Sequence, residues 1–135
     1  MTRNEIDRLL AARYGAEEAE DIEAIEQTLT FDVEHEGGGE RPLYGRRQVG
    51  DFYRRLFMSV SGHRFVPIRR EYGAERAVDE SMVEAVAVGD AFGYPGRGRR
   101  IRFRLLREFE FQAGRIRHER IRLDRSEIAA QLATD

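Results

Sequence analysis

The chain has no cysteine, which excludes a disulfide framework, a thiolate metal site and a cysteine nucleophile at once. Lysine is missing too: all 23 basic residues are arginine, so Schiff-base chemistry through a lysine amine is excluded. Only His35, His63 and His118 are available as imidazole ligands, and no metal site is expected. The three prolines, Pro42, Pro67 and Pro95, lie far apart, and neither a proline-rich linker nor an internal repeat divides the sequence. No window approaches about 18 uninterrupted apolar residues, and the opening Met1-Thr2-Arg3-Asn4-Glu5-Ile6-Asp7 is too charged for a secretory signal. The expectation is a soluble, cytoplasmic protein with no membrane partner. Phosphate-loop, serine-hydrolase and zincin motifs are also missing. The glycines of Gly93-Tyr94-Pro95-Gly96-Arg97-Gly98 come without a lysine and precede a strand pattern, so they read as a turn.

What is present suits one ordinary domain over residues 1–135, with 41% hydrophobic residues for a single core. The 23 basic and 25 acidic residues leave a formal charge of −2, so bulk attraction to nucleic acid has no support. Charge is segregated locally instead. Glu17, Glu18, Glu20, Asp21, Glu23 and Glu26 form one run, and Arg97, Arg99, Arg100, Arg102, Arg104 and Arg107 another. Both read first as solvated faces.

A capping box, Thr2-x-x-Glu5, opens a first helix with Ile6, Leu9, Leu10 and Tyr14 on one stripe, ending near Gly15. A second helix is predicted over roughly residues 17–29, with Ala19, Ile22, Ile25 and Leu29 inward. Residues 31–36 alternate like a strand and break at Gly37-Gly38-Gly39. From Arg46 to about Ser61 the set Val49, Phe52, Tyr53, Leu56, Phe57, Val60 gives the strongest amphipathic helix. Strand patterns follow over about 64–72, 76–89, 99–112 and 115–123, and Asp124 caps a short closing helix. This order predicts an α+β fold: a curved antiparallel sheet wrapped around the long helix as a cone, with the N-terminal helices over its mouth.

The last two long strands carry the chemistry. If residues 112–114 form a three-residue hairpin loop, Phe111 faces Arg115, Phe103 faces Leu123, Leu105 faces Ile121 and Arg107 faces Glu119. Arg107 then interrupts the apolar face Ile101, Phe103, Leu105, Phe109, Phe111, and Glu119 interrupts its neighbour's. A charge on a buried face is costly unless paired, so a cross-strand Arg107–Glu119 ion pair is expected. Two readings stay open. The pair is structural, or a bulge beside Leu106 turns Arg107 to solvent. Alternatively the pair lines a cavity, where Arg107 orients an anionic or carbonyl oxygen and Glu119 accepts a proton. His35 shares a strand face with Phe31 and Val33, so a neutral imidazole can act there as base or donor, while Asp32 points to solvent. Tyr14 and Tyr53 lie on helix stripes as core residues or as phenols at a cavity wall.

Three segments resemble the SnoaL-like polyketide cyclase branch of the superfamily shared with ketosteroid isomerase and nuclear transport factor two. They are Gly45-Arg46-Arg47-Gln48-Val49-Gly50-Asp51-Phe52-Tyr53, Gly98-Arg99-Arg100-Ile101-Arg102-Phe103, and Gly114-Arg115-Ile116 through Leu123-Asp124 to Gln131-Leu132. The resemblance implies a cone of curved sheet around an apolar pocket, a homodimer, and cyclase or isomerase work with neither metal nor organic cofactor. The family's acid/base aspartate falls on Ile121, its histidine on Arg107 and its asparagine on His35. Glu119, two residues from Ile121 on the same face, is about 7 Å away along the strand and stands in as the candidate base.

The sequence thus reads as a small-molecule pocket protein of isomerase or cyclase type. Its ligand is apolar with an oxygen or anionic group held by Arg107. Glu119 or His35 moves the proton, and Tyr14, Tyr53, Phe57, Phe103, Leu105 and Ile121 form the walls. The rival reading is a non-catalytic ligand-binding or dimeric assembly module in which the ion pair only fixes the sheet.

Overall fold

In the computed structural model, which describes residues 1–133, the elements run α1 (Arg3–Glu18), α2 (Ile22–Gln27), β1 (Leu29–Glu36), β2 (Leu43–Tyr44), α3 (Gly45–Ser59), β3 (Val60–Tyr72), β4 (Arg76–Ala87), β5 (Arg99–Gln112), β6 (Arg115–Leu123) and α4 (Arg125–Leu132). Among the described residues no helix is long and apolar enough to cross a membrane.

Thr2 and Glu5 close the predicted capping box at the start of α1. The helix then runs past Gly15 to Glu18. A glycine inside a helix costs about 1 kcal/mol relative to alanine, and here the added turn is tied down by a buried side chain, Glu17. The extension adds Glu17 to the stripe of Ile6, Leu10 and Arg13, and all four are buried. Glu17 therefore leaves the acidic run expected to be solvated, as buried Arg107 leaves the basic one. The predicted second helix shrinks to α2, capped by Asp21.

The sheet has six strands in the order β2-β1-β6-β5-β4-β3. Hairpin connections make β3 to β6 antiparallel. β1 pairs with β6 in parallel, correcting the all-antiparallel expectation. No tight turn joins these two strands, so nothing local fixes their relative direction. Their pairing is irregular between Leu29 and Glu34, and Phe31, expected inward with Val33 and His35, is 83% exposed.

The β5–β6 turn also differs from expectation. Ala113 and Gly114 both take positive φ, 51° and 75°, giving a two-residue turn with Gln112 opposite Arg115. A bulge after Phe111–Ile116 adds a second offset, so Arg107 lies opposite Ile121, Leu105 opposite Leu123, and Glu119 opposite Phe109. The predicted Arg107–Glu119 cross-strand pairing is thus displaced by two residues. A two-residue slip keeps every side chain on its face, which is why Ile101, Phe103, Leu105, Arg107, Phe109 and Phe111 are all buried as the alternation implies.

Two apolar clusters fill the interior. One gathers Ile6, Leu10, Ile25, Val49 and Phe109 beneath α1, α2 and α3, and the other joins Val83, Ile101, Phe103 and Leu105 to Ile128 and Leu132 of α4. On β5, Phe109 belongs to the first and Leu105 to the second, so Arg107 stands at their junction.

Candidate functional site

Four buried charges meet at that junction. Arg107 donates to both carboxylate oxygens of Glu17, Nη1 to Oε2 at 2.6 Å and Nη2 to Oε1 at 2.7 Å. Arg13 grips Glu119 the same way, Nη1 to Oε1 at 2.7 Å and Nη2 to Oε2 at 3.1 Å, and its Nε reaches Glu17 at 3.1 Å. Two fork-shaped pairs of this kind are geometrically specific and strong. The Arg107–Glu119 contact is only diagonal, Nε to Oε2 at 3.7 Å, and Nε of Arg107 is buried with no hydrogen-bond partner. The Arg107 guanidinium lies over the rings of Tyr14 and Phe65, 5.1 and 5.4 Å from their centroids.

Tyr53 and His35 extend the cluster. Arg13 Nη2 donates to Tyr53 Oη at 2.7 Å, leaving the phenolic hydrogen free to be donated to His35 Nε2, 3.2 Å away. Burial would raise the Glu119 carboxyl, but Arg13, His35 and Arg107 outweigh it and hold it at about 2. Glu17 is likewise lowered, since Arg107 and Arg13 overcome its desolvation. Burial pushes His35 below its ordinary value despite Glu119, and pushes the Tyr53 phenol up. At neutral pH the cluster is two cations, two anions, a neutral imidazole and a neutral phenol.

Beside it opens a pocket whose void, mouth included, is about 590 Å³. Its walls are mostly apolar, among them Phe52, Leu56, Val60, Phe65, Val83, Phe92 and Leu123, with ionisable side chains from Glu17, Tyr53, His63, Arg107 and Arg125. Of the residues singled out from sequence, Arg107, Tyr53, Phe103, Leu105 and Ile121 line it. Glu119 and His35 are buried, at 0% and 1% exposure, and are not among its lining residues. Tyr14 and Phe57 are not wall residues either. The Tyr14 hydroxyl donates to Asp79, and Phe57 packs on the rings of Tyr53 and His63.

Sequence reasoning missed Arg13, Glu17 and His63. The first two carried the same signal as Arg107, a charge on an apolar stripe, at the spacing Ile6, Leu10, Arg13, Glu17. Ending the helix at Gly15 left Glu17 off the stripe, and Arg13 inside the predicted helix was passed over. Placing the start of β3 at residue 64 left His63 outside the strand.

Among the described residues, Glu34, Glu36 and His118 offer possible metal-ligand atoms within 4.8 Å of one another. Two of the three already pair: His118 Nε2 meets Glu36 at 2.6 Å, and Arg120 meets Glu36 at 3.3 Å.

Residues 6–132 match the family model for SnoaL-like polyketide cyclase. The chain belongs to that family. No curated protein matches the sequence. Solved structures sharing the SnoaL-like fold include a protein of Pseudomonas putida KT2440 provisionally assigned as a polyketide cyclase, 23% identical over 93% of this chain and 96% of that one, with a TM-score of 0.84. An LEH-like epoxide hydrolase of Mycobacterium tuberculosis is 21% identical over 96% and 90%, TM-score 0.76. A Catenulispora acidiphila protein with a ketosteroid isomerase-like fold, solved with trimethylamine, is 12% identical over 94% and 93%, TM-score 0.79. At these identities the likeness establishes the fold alone.

Proposed function

We infer that this chain binds a small, largely apolar molecule in the pocket and acts on it as an isomerase- or cyclase-type enzyme by proton transfer, without metal or organic cofactor. The observation that carries the reading is an apolar cavity with a clamped guanidinium in its wall. Arg107 lines the pocket and is held by Glu17 through one hydrogen of each terminal nitrogen, while its Nε–H is buried beside Glu119. A pre-oriented donor in a dry wall costs little reorganisation when a ligand oxygen arrives. Because Glu17 already neutralises Arg107, the fitting ligand group is a neutral carbonyl in preference to a carboxylate. Tyr53, Phe103, Leu105 and Ile121 supply the walls, with Tyr14 and Phe57 packed behind. Glu119, with its carboxyl at about 2, is a weak base at neutral pH. Its role in this reading is to fix Arg13, and through Arg13 the Tyr53–His35 pair.

The rival, a non-catalytic binding or assembly module, has one observation in its favour: the two cations and two anions satisfy one another without a ligand. A thermal-shift screen with apolar ketones and carboxylates discriminates, using wild type and Leu123→Trp, which fills the pocket and leaves the charges alone. A ligand at about 100 times its Kd stabilises by about 2.7 kcal/mol. Shifts in wild type that vanish in the variant support the pocket reading, silence across the panel favours the assembly module, and assay of the hits for turnover separates the enzyme from a binding module. A single domain over residues 1–135 and a cytoplasmic location, expected from length and composition, and a homodimer, expected from the family resemblance, accompany the proposal. Sedimentation analysis tests the dimer.

A further inference from the structure

His63 is the ionisable pocket residue outside the charge cluster best suited to move a proton at neutral pH, and plain strand alternation would not bring it there. Val60, the first residue of β3, lines the pocket, so an unbroken period of two would turn Gly62, Arg64 and Val66 inward. Instead β3 carries one extra residue between Ser61, opposite Val86, and Arg64, opposite Glu84. Gly62 takes the left-handed conformation at φ 67°. Such a bulge re-aims the side chains that follow it. His63 and Phe65 join the pocket lining, while Arg64 and Val66 are exposed. Glu20 clamps the bulge, accepting from Ser61 Oγ and from the Gly62 N–H at 3.2 Å.

The imidazole is held edge-on to Phe57 at 5.7 Å and stacked on Phe65 at 6.1 Å between centroids. Its Nδ1 is buried without a hydrogen-bond partner. Glu17, the carboxylate in the lining, has both oxygens engaged by Arg107 and is a poor competitor for a proton.

Resting on the pocket reading above, we propose that His63 is the general base of the pocket, removing a proton from the carbon next to the carbonyl of a neutral apolar ketone whose oxygen is held by Arg107. The C–H bond breaks as the N–H bond of His63 forms. The electron pair moves onto the carbonyl oxygen as an enolate, which accepts from Arg107. The imidazolium then returns its proton to a carbon of the enolate or dienolate, giving exchange or an isomer with no oxidant or reductant consumed. The charged groups acting on the ring are Glu17 of α1, Arg107 of β5, and Glu20 just after α1. Burial, the largest influence, holds the imidazole below its ordinary 6.5, so it stands neutral and ready as a base at pH 7.

The test is deuterium exchange at the α-carbons of β-tetralone in D₂O, followed by NMR and corrected for buffer. Wild type is compared with His63→Asn, which keeps a polar atom near Nδ1 but no base. Circular dichroism checks the fold, and a β-tetralone thermal shift checks binding. The expected result is accelerated exchange in wild type, with an acid limb below pH 6.5, and a loss of about a hundredfold or more in His63→Asn with the thermal shift retained. Binding without accelerated exchange, or exchange that survives in folded His63→Asn, overturns the assignment of His63 and leaves the pocket reading standing. No thermal shift with wild type overturns both.

Discussion

Replacing Glu119 with glutamine keeps the shape of the side chain and mimics its neutral, protonated form. It therefore measures what the buried negative charge contributes. In the folded protein the Glu119 carboxyl falls from the ordinary 4.5 to about 2, which corresponds to about 3 kcal/mol. The sign follows from the direction of the change. A carboxyl lowered on folding stabilises fully above its unfolded value, and that contribution fades as pH drops from 4.5 towards 2. At pH 7 Glu119→Gln leaves Arg13 facing an uncharged amide in a fully buried site, so a loss of about 3 kcal/mol is expected. Urea unfolding with an m-value of about 2 kcal/mol/M reads this as a midpoint shift of about 1.5 M. Repeating the titration at decreasing pH should narrow the gap between wild type and variant, because protonated Glu119 and glutamine become equivalent. Exposed carboxylates titrate alike in both proteins, while Glu17 and His35 feel the Glu119 charge and shift with it, so the narrowing reports Glu119 together with these neighbours. A difference below about 1 kcal/mol at pH 7, or one that stays constant into acid, refutes the account of the charge cluster.

Arg13→Met and Glu119→Leu should each cost about 3–5 kcal/mol alone, but together less than either alone, since the double variant leaves the Arg107–Glu17 pair intact and no charge stranded. Chemical denaturation of the four proteins in that cycle checks it. Gly37→Ala should destabilise by about 2 kcal/mol or more, because the added carbon would sit 2.0 Å from the Ile121 carbonyl oxygen at a φ of 87°. Thermal unfolding decides this. Tyr53→Phe removes the hydroxyl shared by Arg13 and His35. It should cost about 1–3 kcal/mol in urea titration.

The strands from 76 to the end of β6 were legible because alternation and the intervening turns agree, and both ends of β5 and of β6 coincide with the pattern. The face of Arg107 was legible for the same reason, although its partner was not. Ala113 in the left-handed region is a choice the residue type does not announce, and the bulge between Glu110 and Phe111 is invisible to periodicity. The Arg13–Glu17 pair looks in sequence like a surface i,i+4 contact. Only the sheet laid against α1 reveals that it meets Arg107 and Glu119. His63 escaped because the helix pattern of α3 runs smoothly into Val60, which hides the point where the backbone becomes extended. The parallel β1–β6 pairing joins residues far apart in the chain, a kind of contact that local patterns do not encode.

The most direct measurement is a crystal structure of the protein soaked with β-tetralone. The account predicts the rings between Phe65, Phe103 and Leu105, with the carbonyl oxygen about 2.7–3.2 Å from an Arg107 nitrogen. A ligand bound elsewhere, or one seated in the pocket with its oxygen turned away from Arg107, would contradict it.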